Sequence, residues 1–197
     1  MPFLDRLRRW WQSTEPVGED VPRDDGPTPE ERRELKAMRA QLNALVSATF
    51  AHLGEDACAR IARRVSRAAV DEGLAQEPAI ALRDGLVGDE YSARRAPYAT
   101  LFDARYVEDT QLKLRKLSTS YGLPADFLYD DAVEGAHPQT AFDRFQAWLA
   151  PHEFALTMLD TGGDEYCLLL VPASQLAGTV ERWTAAGVTL RPWTAAG

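Results

Sequence analysis

The stretch Phe154–Pro172, FALTMLDTGGDEYCLLLVP, decides how the chain folds. Two apolar runs flank a glycine pair bordered by carboxylates, which is the pattern of a β-hairpin whose strands enter the core. Cys167 to Val171 is apolar without interruption and reads as a central buried strand. The turn leaves two registers open. With Gly162 and Gly163 alone as the turn, Asp160 lies opposite Glu165, Met158 opposite Cys167 and Leu156 opposite Leu169, all on one face. Two carboxylates ending an apolar face repel, and one pKa rises unless a cation or a proton sits between them. With a loop of Gly162 to Glu165, Asp160 faces Cys167 instead and the acidic pair is broken. Asp164 then bonds the turn backbone, and Gly/Asp turn chemistry accounts for these residues without a ligand.

Working outward, Val171-Pro172 stops the second strand. A helix carrying Leu176, Val180 and Trp183 follows, Gly187 ends it, and Val188 to Arg191 read as a closing strand. Upstream, alternation over Pro97 to Asp103 predicts a strand. Asp109 or Thr110 is placed to cap a helix to about Tyr121, with Leu112, Leu114, Leu117 and Tyr121 inward and Gly122 just past its end. Phe127 to Tyr129 reads as a short edge strand. The next helix carries Phe142, Phe145, Trp148 and Leu149. This order predicts an α+β fold, with a mainly antiparallel sheet and helices packed on one face.

A helical hairpin precedes the sheet. Thr28, Pro29 and Glu31 form a capping-box start. Leu35, Met38, Leu42, Leu45, Val46, Phe50 and Leu53 then recur at three- and four-residue spacing up to Gly54. A second helix, from about Asp56 to Leu74, turns Ala57, Ile61, Val65, Ala68 and Ala69 to one side. Arg60, Arg63, Arg64 and Arg67 fall on the other, as a phosphate-binding face or as an ordinary solvated stripe. A short helical piece spans Pro78 to Leu86. The division expected is a helical part over residues 28–96 and an α+β part over 97–197, folding together.

Residues 13–27 are rich in proline, glycine and carboxylates and read as a linker spanning roughly 20 Å. Residues 1–12 put Phe3, Leu7, Trp10 and Trp11 on one face of a short amphipathic helix with arginines beside them. That composition suits a docking peptide or a membrane-surface anchor, and it suits equally a segment folded back on the protein.

The C-terminal half resembles a group of uncharacterised bacterial domains of unknown function. The likeness rests on the helix ending in Trp148-Leu149, on Asp160-Thr161-Gly162-Gly163-Asp164-Glu165-Tyr166, on the run into Val171-Pro172, and on the closing helix and strand. It covers about residues 97–192, implies no activity, and transfers no catalytic residue.

The 197 residues carry a formal net charge of −8, with 30 acidic against 22 basic side chains. That balance argues against a nucleic-acid partner and favours a basic protein partner. Cys58 and Cys167 are far apart and signal neither a disulfide framework nor a zinc site, so a reducing cytosolic compartment is expected. No run is apolar enough to cross a membrane, and residues 1–12 lack the long apolar stretch expected of a signal peptide. No GxSxG, P-loop, GxGxxG, HExxH or EF-hand spacing occurs, so no cofactor and no catalytic set is expected. His52, His137 and His152 have no adjacent nucleophile. The leading expectation is a non-enzymatic interaction domain of immunity or regulatory type. The alternative is a metal-dependent hydrolase or small-ligand domain built on Asp160, Asp164, Glu165 and Asp103.

Overall fold

A computed structural model describes residues 28–71, 74–87, 96–103, 109–130 and 138–194. Residues 1–12, with Phe3, Leu7, Trp10 and Trp11, lie outside the described residues, as do the linker and His137.

Helix α1 (Pro29–Phe50) begins as its sequence dictates. The Thr28 hydroxyl accepts from the Glu31 amide at 3.2 Å, and the Glu31 carboxylate accepts from the Thr28 amide at 2.6 Å. These bonds satisfy donors that a helix start leaves orphaned. Helix α2 (Glu55–Ala68) buries Ala57, Ile61 and Val65. It stops short of Leu74, where the periodicity had placed its end. Val70 and Asp71 (β1) instead pair with Ala75 and Leu74 (β2), in a sequence where β-branched Val70 and Gly73 both disfavour a helix. Helix α3 (Pro78–Val87) crosses α2 closely at Gly85, where a Cβ would lie 2.5 Å from the Val65 Cα.

The sheet has the strand order β3-β5-β4-β6, antiparallel at every pairing. Its strands are β3 (Ala99–Asp103), β4 (Phe154–Leu159), β5 (Glu165–Pro172) and β6 (Leu190–Pro192). The α+β class is the one adopted. Helices cover both faces, however, where one covered face was expected. Phe142 of α5 (Pro138–Leu149) sits 5.0 Å from Phe102 and 5.4 Å from Tyr166, on one side of the sheet. Arg83 of α3 reaches Glu165, whose side chain alternates to the other side. Residues 167–171 of β5 are fully buried without a gap, so both faces of this strand are sealed, as its unbroken apolar run requires.

Two joints hold the layers together. Trp183, on α6 (Leu176–Ala185), donates its indole N–H to the Thr49 hydroxyl of α1 at 2.8 Å, fully buried. The Tyr121 hydroxyl, just past α4 (Thr110–Ser120), donates to the Tyr98 carbonyl at 2.8 Å and accepts from the Leu170 amide at 3.3 Å. It continues the β3–β5 ladder by one rung beyond the last direct strand pair, Ala99 with Leu169. Burial raises the Tyr121 pKa and pushes the Cys167 thiol up to about 12. Both groups fold in their protonated form, so their stabilisation is complete below their unfolded pKa values, about 8.5 for Cys and 10 for Tyr. It drains away as pH rises toward the folded values. The melting temperature is therefore expected to be insensitive to these groups between about pH 7 and 8 and to fall steeply above about pH 9. A thermal-melt series across that range checks this, and a flat profile to pH 11 would refute it.

Two local expectations are corrected. Phe127 to Tyr129 is irregular, with no strand pairing. Its buried, exposed, buried alternation imitates a strand, but the Tyr129 amide donates to the Gln111 side chain at 2.7 Å. Asp109 precedes α4 in the left-handed region (φ 58°) and makes no side-chain capping bond.

Candidate functional site

The hairpin mouth follows neither register weighed from the sequence. Leu159 pairs with Cys167, Met158 with Leu168 and Leu156 with Leu170. Continued outward, this register sets Thr161 opposite Glu165 and leaves Gly162, Gly163 and Asp164 as a three-residue loop, with Gly162 at φ +75°. One residue of slip reverses every side chain. Asp160 and Glu165 consequently point to opposite faces, and the acidic pair does not form.

Each carboxylate has its own cation. Asp160 accepts from the Gly162 amide at 3.1 Å, closing the turn, and from Arg191 at 2.7 Å. Glu165 accepts from Arg83 Nη1 at 2.9 Å and from the Thr161 hydroxyl at 3.4 Å. Arg83 also donates through Nε to its neighbour Asp84 at 2.7 Å.

The true neighbour of Glu165 is Asp103, its cross-strand partner at the end of β3. Asp103, Asp164 and Glu165 line an open cleft of about 460 Å³ together with Arg83, Lys113, Leu101 and Gly163. Among the described residues, four elements and the hairpin loop, with Gly163 and Asp164, supply it. The end of β3 and the start of β5 form the floor, α3 contributes Arg83, and α4 contributes Lys113. The Lys113 ammonium lies 3.0 Å from the Leu101 carbonyl and 5.3 Å from the Phe102 ring centre. Three of the four carboxylates marked from the sequence thus converge, and Asp160 is excluded.

Arg83 and Lys113 carry no local signal. Arg83 meets its partner across 82 residues, a distance no periodicity reports. The only hint in the sequence is electrostatic, since carboxylates ending an apolar strand require a cation from elsewhere.

The arginine stripe divides. Arg60, Arg63 and Arg67 are exposed. Arg64 is half-buried, donates to the Ala96 and Leu86 carbonyls at 2.9 and 3.2 Å, and lies over the Tyr98 ring. It braces α2 against the end of α3. His52 stacks on Tyr121 at 5.9 Å and meets the edge of Phe154 at 5.5 Å, and desolvation by these rings lowers its pKa. His152 packs on Trp148 at 4.6 Å. Cys58 donates its thiol to the Phe50 carbonyl. Among the described residues no group of three or more His, Cys, Asp or Glu side chains is arranged to hold a metal ion. No described helix is long and apolar enough to cross a membrane.

Taken as a class, this is an α+β domain whose antiparallel sheet is sealed on both faces and opens at one hairpin mouth into a charged cleft. The chain belongs to the family described as Domain of unknown function (DUF6630), whose model matches residues 40–193. The match reaches back into α1, well beyond the C-terminal half that carried the resemblance. Comparison with curated proteins gave no match, and comparison with solved structures gave none.

Proposed function

We propose that the chain is a non-enzymatic protein-interaction domain that takes a basic side chain of its partner into the cleft at the hairpin mouth. The observation supporting this reading is the convergence of Asp103, Asp164 and Glu165 on one open cleft, with Arg83 and Lys113 beside them among the described residues. Carboxylates gathered at one cleft, in a chain of net charge −8, attract a basic partner and disfavour an acidic one. The Cys167 thiol is buried in β5 and stays protonated at physiological pH, because burial pushes its pKa up to about 12. Such a domain suits an immunity or regulatory role against a basic protein. In this reading the peptide carrying Phe3, Leu7, Trp10 and Trp11 adds a second, hydrophobic contact.

The test is co-purification from the native cell with the full chain and with an Asp103→Asn, Asp164→Asn, Glu165→Gln variant. A stoichiometric partner held by the parent chain and lost by the variant is the expected result. Equal retention by both would refute the cleft as the contact. Removal of residues 1–27 is expected to weaken the same complex without abolishing it.

A further inference from the structure

Helix α2 carries Arg60, Arg63 and Arg67 on the face turned away from the buried Ile61 and Val65, and all three are exposed. None of them has a hydrogen bond, ion pair or ring contact among the described residues. Their spacing of three and four residues sets like charges side by side, which weakens a helix. Asp56 shares the face one turn before Arg60, a single carboxylate against three guanidinia. The chain supplies more negative charge nearby. Residues 13–27 hold Glu15, Glu19, Asp20, Asp24 and Asp25 against one basic residue, Arg23, and lead directly into Thr28 at the start of α1.

Where that segment can reach follows from the helix pair. α1 and α2 run antiparallel: the Cys58 thiol meets the Phe50 carbonyl at one end, and at the other Ser66 accepts from Arg39 through its carbonyl and bonds Asn43 through its hydroxyl, both at 3.0 Å. Arg67 is therefore level with Arg39, about 16 Å along the axis from Thr28, and Arg60 lies about 10 Å further. At about 3.3–3.6 Å per extended residue, Asp24 and Asp25 stop short of the stripe, Glu19 and Asp20 reach roughly 26–32 Å, and Glu15 extends past Arg60. The relaxed span of an eight-residue coil is also about 16 Å, so bringing Asp20 to Arg67 needs no stretching.

We infer that the carboxylates of Glu15, Glu19 and Asp20 bind Arg60, Arg63 and Arg67, strapping residues 13–27 along the outer face of α2. Exposed ion pairs are individually weak, but attachment at Thr28 holds the carboxylates at an effective concentration of order millimolar, so pairs that would not retain a free peptide retain a tethered one. The strap carries residues 1–12 to the end of α2 nearest Gly54. A basic partner that takes the linker carboxylates releases them.

The experiment is amide relaxation of the full isotope-labelled chain by NMR at low salt. In the parent chain the amides of residues 15–20 are expected to give clearly positive heteronuclear NOE values, close to those of the helices. In the Arg60→Gln, Arg63→Gln, Arg67→Gln variant, and in the parent at high salt, they are expected to fall to near zero or below. Charge exchange separates the contact from an indirect effect. Arg60→Glu, Arg63→Glu, Arg67→Glu releases the linker, and adding Glu15→Lys, Glu19→Lys, Asp20→Lys restores the positive values.

A linker as mobile in the parent chain as in the Gln variant leaves the stripe to solvent or to another anion and overturns the inference. So does a linker ordered equally in both, since it is then held elsewhere, and so does failure of the charge exchange to restore order. Should the stripe variants fail to fold, Glu15→Gln, Glu19→Gln, Asp20→Asn leaves the helices as they are. It is expected to shift the Nε–Hε signals of Arg60, Arg63 and Arg67 but not that of Arg182 on α6, and unmoved signals at the stripe overturn the inference.

Discussion

Replacing Trp183 by Ala is expected to cost the fold about 3–5 kcal/mol, the range for deleting a large buried aromatic. Trp183 is fully buried and is the largest such side chain among the described residues. It also carries the hydrogen bond to Thr49 that joins α6 to α1. Deletion removes apolar contact, opens a cavity between two elements distant in sequence, and leaves the Thr49 hydroxyl without its donor. For a chain of this size the loss corresponds to a fall in melting temperature of roughly 6–20 °C. Trp183→Phe keeps most of the volume and should fall well short of that loss. Urea or thermal unfolding of the two variants separates the packing contribution from the hydrogen bond. A loss below about 1 kcal/mol for the Ala variant would show that α6 is not anchored there.

Gly85→Ala is expected to destabilise, against the intrinsic helix preference. In an exposed helix interior the change would add about 1 kcal/mol of stability. Here the new Cβ would lie 2.5 Å from the Cα and Cγ2 of Val65 and 2.7 Å from its amide nitrogen. The Val65 side chain can rotate, but its backbone cannot, so α2 and α3 must move apart. Overpacking of this kind costs about 1–3 kcal/mol, and the net effect is a lower urea midpoint with little change in slope. A higher midpoint would mean that the two helices separate freely.

Most of what depended on neighbours in the chain was legible in the sequence, although Asp109 makes no capping bond at the start of α4. The Thr28-Pro29-Glu31 start, the apolar spacing of α1, the hairpin and the last helix are all local signals, and all are present. The two-sided burial of the sheet was also written in Cys167 to Val171, since a run with no polar alternation leaves no face for water. Other features depended on partners that the sequence does not place. The end of α2 is decided by a small two-strand pairing. Phe127 to Tyr129 alternates like a strand, yet its backbone is satisfied by Gln111. At the candidate site Asp103, Asp164 and Glu165 could be named, but Arg83 and Lys113 could not, because their helices reach the hairpin only through the folded core. The register failed for a related reason. Both faces of the hairpin are apolar, so hydrophobic alternation has nothing to choose between.

That last point gives the two ion pairs at the mouth a second role. A strand greasy on both sides can slide by one residue without bringing an apolar side chain into water, and something else must act as the key. Arg191 meets Asp160 on one face while Arg83 meets Glu165 on the other. A one-residue slip of β4 against β6 would turn Asp160 away from Arg191, and a one-residue slip of β5 would turn Glu165 away from Arg83. The two pairs work as dowels driven from opposite sides, so the charges that border the cleft also fix the alignment of the strands beneath it.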